Sequence, residues 1–299
     1  MESGPGAREA RVLLPWMSDA RARQALTGGR SGEVVTAAQE KLLATAREEV
    51  RRRPAGVDQS GAVQPMPAEL RDYAARLRDD PEAAERLADG FVPALVDLAR
   101  LCVFQPTVHA GGAAERAACA HAGDLASIAG LTLPMAEPGR VIPQFDQDRL
   151  TFTTNLATQN LQIIGAFGGP AAAADELPPG TVSVGFHLRV TTSFVEVAGL
   201  GGRLFLRDGY HRCLGLLQRG IRHAPALVRS DLPLAELVPP GMLPFEAFTG
   251  DRPPVLPDYW DDRVSVAARL PSSRKVIIVR ASELTVTESP ERLVFRSAG

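Results

Sequence analysis

Apolar residues along this chain follow one period in its first part and another in its second. Over residues 36–53, Leu42, Leu43, Ala46 and Val50 recur at the spacing of one helix face. Thr36 with Gln39 reads as a capping box at its start, and Pro54 stops it. A second helix begins at Pro67, with Leu70, Tyr73, Ala74 and Leu77 facing inward. Asp80-Pro81 caps a third, which Gly90 ends. The apolar run at 91–102 extends this pattern as a fourth helix, and the Ala-rich run 113–128 as a fifth. Residues 1–130 therefore read as a helical region, and 131–148 as a Pro-containing connector. From about residue 150 the pattern shifts to short strands, at 150–154 and 161–164, with a loop rich in Ala, Pro and Gly at 168–180. Val182, Val184, Phe186, Leu188 and Val190 alternate without a break, which predicts a strand with one buried face. Strand composition returns at 194–197, and after a Pro-rich stretch, 230–262, at 264–268, 275–279, 284–287 and 293–295. Within that stretch a short helix is expected near 234–237, with Tyr259 and Trp260 as anchors. The fold class is α+β, divided at residue 130 into a helical part and a small mixed-sheet domain.

Composition sets outer bounds. A chain of 299 residues with 45% hydrophobic content can bury a core of one or two domains. Net charge is −2, so no global field favours nucleic acid or an anionic membrane. Only two of the 33 basic residues are lysine, Lys41 and Lys275; with the Ala, Gly and Pro content this suggests a GC-rich bacterial genome. Three cysteines without a Cys-x-x-Cys pair argue against a disulfide framework and fit a reducing cytoplasm. No apolar stretch reaches the length of a membrane span. Cys102, His109, Cys119 and His121 lack zinc-site spacing, so no zinc is expected. Neither lysine follows a glycine, which excludes a P-loop. Gly199-Leu-Gly201 precedes a strand and not a helix, so it fails as a dinucleotide motif. The Arg51-Arg52-Arg53 run reads as a solvated helix end.

The chemistry concentrates at 204–228. This stretch reads as strand, turn at Asp208-Gly209, short helix with Leu214, Leu216, Leu217 and Ile221 on one side, a C-terminal Gly220, and a strand at 224–228. Tyr210, His211 and Arg212 fall on the first helical turn, where backbone N–H groups have no intrahelical partner and the dipole is positive. Gly209 lets a ligand approach the backbone, Arg212 offers a fork of donors and His211 a further donor or titrating group. That is an anion site, best suited to phosphate. The alternative is a strand-to-helix turn whose Arg212 is spent on an internal ion pair.

The Asp-Gly-Tyr-His-Arg turn with its flanking elements resembles the core of the ParB/sulfiredoxin superfamily over residues 181–230. Members include CTP-hydrolysing partition clamps, sulfiredoxin and kinases acting on free serine. The resemblance implies that Gly209, Tyr210, His211 and Arg212 bind the phosphates of a nucleoside triphosphate, with Mg2+. It implies phosphoryl transfer to a small-molecule acceptor, or hydrolysis, as the activity. Asp208 is the nearest carboxylate for the metal, and Glu196, Asp208 and His211 are the catalytic candidates; a salt-bridged Glu196 and a turn-forming Asp208 are the alternatives. Sulfiredoxin places its reactive Cys directly before the His, where this chain has Tyr210; Cys213 reads as a packed thiol. The DNA-reading helical region of partition proteins has no counterpart after residue 230. A basic face built from Arg203, Arg207, Arg212, Arg219 and Arg222 keeps a nucleic-acid-associated regulator as an alternative, beside a non-catalytic scaffold.

Overall fold

A computed structural model describes residues 7–28, 34–135, 144–146, 148, 151–155, 161–170, 178, 181–271 and 276–280. In chain order its elements are β1 (Ala7–Val12), α1 (Asp19–Leu26), α2 (Ala37–Arg52), β2 (Val63–Pro65), α3 (Arg71–Asp79), α4 (Pro81–Ala88), β3 (Val92–Asp97), β4 (Thr107–His109), α5 (Ala110–Arg116), α6 (Leu125–Thr132), β5 (Gln144–Asp146), β6 (Thr151–Asn155), β7 (Leu161–Pro170) and β8 (Val182–Val190). They continue with β9 (Glu196–Leu200), β10 (Arg203–Asp208), α7 (Tyr210–Gln218), β11 (His223–Arg229), α8 (Leu234–Leu237), α9 (Phe245–Thr249), β12 (Val266–Pro271) and β13 (Val276–Arg280). Helices and mixed sheets make an α+β fold, and no described helix is long and apolar enough to cross a membrane.

The chain divides differently from the expected cut at residue 130. One compact unit joins residues 1–138 to 191–273; the other joins 139–190 to 274–299. The first unit holds a five-stranded mixed sheet in the order β10-β9-β11-β3-β2, in which β9 and β11 are parallel, and a three-stranded antiparallel sheet in the order β12-β1-β4. The second holds β13-β6-β5 and the two-stranded antiparallel ribbon β7-β8.

Several N-terminal helices form where their caps stand. The Thr36 hydroxyl accepts from Gln39 N–H and the Gln39 side chain accepts from Thr36 N–H, which closes the capping box of α2. Asp80 Oδ1 accepts from the N–H groups of Glu82 and Ala83 at the start of α4. Leu70, Ala74 and Leu77 are buried as the period requires.

The N-terminal part is nevertheless not all helix. It also contains β1, β2, β3 and β4. The run 91–102, expected as a helix, is strand β3 followed by a short 3-10 turn. A short apolar run does not reveal its period, and here pairing decides: β3 lies between β11 and β2, with Ala94 opposite Ala226. The expected helix at 113–128 is two helices, α5 and α6, separated around Gly123, which has φ +85°. The connector at 131–148 carries β5.

In the second unit β8 forms as expected, but Val182, Val184 and Phe186 on its alternating face are 64%, 80% and 47% exposed, not buried. Strand β8 pairs with β7 alone among the described residues, and this face of the ribbon is exposed. Strand β7 also runs on to Pro170, into the expected loop. The strands expected at 284–287 and 293–295 lie outside the described residues.

The core of the first unit is built on the motif. Phe205 and Leu206 of β10, Cys213, Leu214 and Leu216 of α7, and Ala224 and Ala226 of β11 are all fully buried. Helix α7 ends in a Schellman closure: Ile221 N–H donates to Leu216 C=O at 2.9 Å and Gly220 N–H to Leu217 C=O at 3.0 Å, with Gly220 at φ +75°. Helix α7 also packs on α5 at Gly215, where a Cβ would stand 2.1 Å from the Ala113 carbonyl oxygen.

Candidate functional site

The turn between β10 and α7 is fixed by sterics and by a short hydrogen-bond chain. Gly209 has φ +94°, a region that L side chains rarely adopt, and a Cβ there would meet Val195 Cγ2 at 2.7 Å. Its N–H donates to Asp208 Oδ1 at 2.6 Å. The first backbone bond of the helix runs from Cys213 N–H to Gly209 C=O at 2.9 Å. The N–H groups of Tyr210, His211 and Arg212 precede it and have no acceptor in the helix itself.

The three side chains of this turn have separate fates. Tyr210 is 4% exposed and belongs to the core: its ring meets Phe104 and Tyr259 edge-on, and its hydroxyl accepts from Phe104 N–H at 3.3 Å. Burial pushes its phenol well above the ordinary range. Its side chain is thus committed to the core.

Arg212 is also turned inward, at 8% exposure. Its guanidinium donates to Ser193 C=O, to Ser193 Oγ at 2.7 Å, to Phe194 C=O at 3.0 Å and to Leu131 C=O at 3.3 Å. Burial lowers its pKa, because the charged form is desolvated there. The fork is committed to the segment entering β9. It is spent internally, though on carbonyls and a hydroxyl and not on an ion pair.

His211 is half-buried and lies beside α5, its ring Cδ2 3.4 Å from where a Cβ on Gly112 would be. Its ring lies parallel to that of His109, with centroids 6.4 Å apart and planes 8° apart. Burial lowers its pKa to about 4, and the charges of Arg116 and His109 add to the effect, against a smaller opposing pull from Asp208. The imidazole is therefore neutral at pH 7. Arg116 is exposed, and no described residue forms an ion pair or hydrogen bond with its guanidinium.

The carboxylates differ as much. Asp208 is exposed; besides Gly209 N–H, it accepts from Ser193 Oγ at 2.8 Å. Ser193 thus links Asp208 to Arg212. Glu196 stands in register with Asp208 across β9 and β10, with a bulge between Leu206 and Asp208. Glu196 is 4% exposed, and its oxygens are taken by Arg86 at 3.0 Å and by Arg207. This is the salt-bridged alternative for Glu196, with each oxygen paired to a guanidinium.

The structure thus brings Asp208, Gly209, His211 and the first-turn N–H groups to one place and turns Tyr210, Arg212 and Glu196 away from it. Sequence reasoning missed Ser193 and Arg116. Neither had a signal, since Ser193 lies in a plain polar run and Arg116 in an Ala-rich helix. The sequence-clustered arginines also disperse. Arg203 donates to the carbonyls of Thr249 and Gly250 at 2.6 Å, Arg219 to Ala120 C=O at 3.1 Å, and Arg222 to both oxygens of Asp97 at 2.8 Å. Among the described residues no group of three or more His, Cys, Asp or Glu could hold a metal ion. Burial pushes the thiols of Cys102 and Cys213 up to about 12. No protein-family model, curated protein or solved structure matches this chain.

Proposed function

We propose that the turn at 208–212 binds the phosphates of a nucleoside triphosphate, as the resemblance to the ParB/sulfiredoxin superfamily implies. The observation that carries this reading is a set of donors at the start of α7: first-turn N–H groups with no acceptor in the helix, the His211 imidazole, held neutral at pKa about 4, and Arg116, which has no ion-pair partner among the described residues, beside a left-handed glycine. A phosphate would supply acceptors for these donors. The ligands are the backbone N–H groups of Tyr210, His211 and Arg212, the His211 imidazole and Arg116. Arg212 itself serves by fixing the turn.

Asp208 is the exposed carboxylate of the turn and the residue that would hold Mg2+, since magnesium at nucleotide sites commonly takes one or two carboxylates with phosphate and water oxygens. A bound magnesium would neutralise phosphate charge there. Asp208 and His211 are the residues left to take part in hydrolysis or transfer to a small acceptor, because Glu196 is bound by two guanidinium groups. The dispersal of the five arginines onto internal acceptors supports a nucleotide over nucleic acid.

Thermal shift with ATP, CTP, GTP and UTP plus magnesium tests the reading, on the wild type and on Arg116→Glu, a change at an exposed residue that preserves the fold. A rise in melting temperature with one nucleotide, reduced in the variant, is the expected result. No rise with any of the four would overturn it. NMR titration of His211 gives a second readout: bound phosphate favours the imidazolium and raises its pKa.

A further inference from the structure

The hydroxyl of Ser193 is held from two sides by residues of the turn at 208–212. Its Oγ donates to Asp208 Oδ2 at 2.8 Å and accepts from Arg212 Nη2 at 2.7 Å. A serine oxygen carries one proton and two lone pairs. The proton and one lone pair are thus assigned, and no described residue donates to the second lone pair. The backbone around it is anchored as well. Arg212 donates to the carbonyls of Ser193 and Phe194, Thr192 N–H to the Glu82 carboxylate, and Val195 N–H to Thr132 C=O at 2.7 Å. The oxygen is therefore in position before any ligand arrives. It is also within reach of solvent, since Ser193 is half-buried and Asp208 is exposed.

This is the arrangement of an activated nucleophile. A serine hydroxyl is weak on its own and needs an adjacent base. Asp208 Oδ2 lies within hydrogen-bond reach of the proton to be removed. The Arg212 guanidinium faces the oxygen on which charge develops as the proton leaves, and its carbonyl partners hold it there. Among the charges around the pair, Asp208 opposes an incoming phosphate and Arg212 favours it, with Arg116 adding to the positive side. Glu196 is already neutralised by Arg86 and Arg207. Asp208 Oδ2 serves the serine, which leaves Oδ1, the acceptor of Gly209 N–H at 2.6 Å, for a metal.

We propose that Ser193 is a phosphoryl acceptor, so that the protein phosphorylates its own chain from a nucleoside triphosphate. The inference rests on the reading of the turn as a phosphate site and names an acceptor inside the protein. Ser193 Oγ attacks the γ-phosphorus through its second lone pair. The Oγ–P bond forms, the bond from phosphorus to the β,γ-bridging oxygen breaks, and its electron pair leaves with the nucleoside diphosphate. The hydroxyl proton passes to Asp208 Oδ2 and from there to solvent. Arg212 then pairs with the phosphoserine it already faces.

The test incubates the full chain with ATP, CTP, GTP or UTP and magnesium, and locates added phosphoryl groups by peptide mass spectrometry. A thermal shift with the non-transferable β,γ-imido analogue of each nucleotide reads binding separately. One phosphoryl group at Ser193 is expected, at a rate per chain independent of protein concentration. At saturating nucleotide, Asp208→Asn is expected to slow the transfer at least about a hundredfold. Ser193→Ala is expected to lose it and keep the analogue's thermal shift. A thermal shift with no phosphoryl transfer, or with transfer to another residue, overturns the inference and leaves the phosphate site standing. So does transfer at an undiminished rate in Asp208→Asn, or a rate per chain that rises with concentration, which assigns the step to a second copy. Neither shift nor transfer overturns the phosphate site and the inference together. Mapping the phosphoryl group on the wild-type chain decides the acceptor whether or not the variants fold.

Discussion

Replacing Arg212 by methionine separates a structural guanidinium from a ligand-binding one. The side chain is 8% exposed and donates to three carbonyls and one hydroxyl. Methionine fills much of the volume and supplies no donor. Each acceptor deprived of its donor while buried costs about 1–3 kcal/mol. Against this, the variant no longer has to desolvate a guanidinium, a relief of several kcal/mol in its own right. Four neutral acceptors lose their donors against that relief, and we expect a net cost of about 4 kcal/mol here. That is a large share of the roughly 5–15 kcal/mol that holds a domain folded. At about 2–4 °C per kcal/mol it lowers the melting temperature by about 8–16 °C. Urea unfolding followed by circular dichroism measures it, with Arg212→Lys as a companion that keeps the charge, loses the fork and falls between the two. A phosphate ligand on an open surface would change stability by only about 0.5 kcal/mol on substitution. A methionine variant within about 1 kcal/mol of wild type would therefore refute the description of Arg212 as the clamp of the 193–194 segment.

Other consequences follow from the same contacts. Gly215→Ala places a methyl 2.1 Å from Ala113 C=O and is expected to cost at least about 1–3 kcal/mol by forcing α5 and α7 apart; Gly111→Ala, with nothing within 4 Å, is expected to be neutral or to gain about 0.5 kcal/mol by thermal denaturation. His211 has its pKa depressed from 6.5 to about 4, so the unfolded chain binds the extra proton first, and stability is full above pH 6.5 and falls between there and pH 4. Denaturation midpoints across that range should show a shallower fall in His211→Phe. A thiol reagent should modify one cysteine quickly in the native protein, the exposed Cys119, and all three in denaturant, because Cys102 and Cys213 are buried with thiols near 12. Glu196→Gln leaves Arg207 without a counter-charge and Arg86 with Asp89 alone, at 3.8 Å, and is expected to destabilise by about 1–3 kcal/mol while leaving nucleotide-induced thermal shifts in place.

Elements whose boundaries carry their own chemistry were legible in the sequence. Thr36 with Gln39, Asp80-Pro81, Asp208-Gly209 and Gly220 are local signals: each hydrogen bond or positive φ joins residues a few places apart, and the helices they bound stand where expected. Strand β3 was not legible, because Val92 to Val96 become a strand through β11, more than a hundred residues away. Strand β1 was hidden in the same way, since its partner β12 lies at 266–271. The division into two units likewise depends on contacts between distant segments, and no composition shift marks it.

The candidate site divides along the same line. Local sequence places Tyr210, His211 and Arg212 together on a helix start, which is a statement about backbone. Where their side chains go is decided by the surroundings of α7. The core around Phe104 takes the Tyr210 ring, the segment 193–194 takes the Arg212 fork, and α5 brings Arg116 beside His211. Adjacent residues on a helix diverge by about 100°, so three neighbours in a motif cannot share one ligand face. An Asp-Gly-x-His-Arg turn therefore serves two tasks at once. Its arginine fixes the strand that enters β9, and under the proposed function its histidine and backbone N–H groups take the anion. That division predicts that phosphate affinity responds to His211 and Arg116 directly and to Arg212 only through the integrity of the turn. Arg212→Lys at a temperature where it remains folded should then retain most of the nucleotide-induced shift that Arg116→Glu loses. If the lysine variant instead folds normally and binds nothing, Arg212 itself touches the phosphate and the division of roles is wrong.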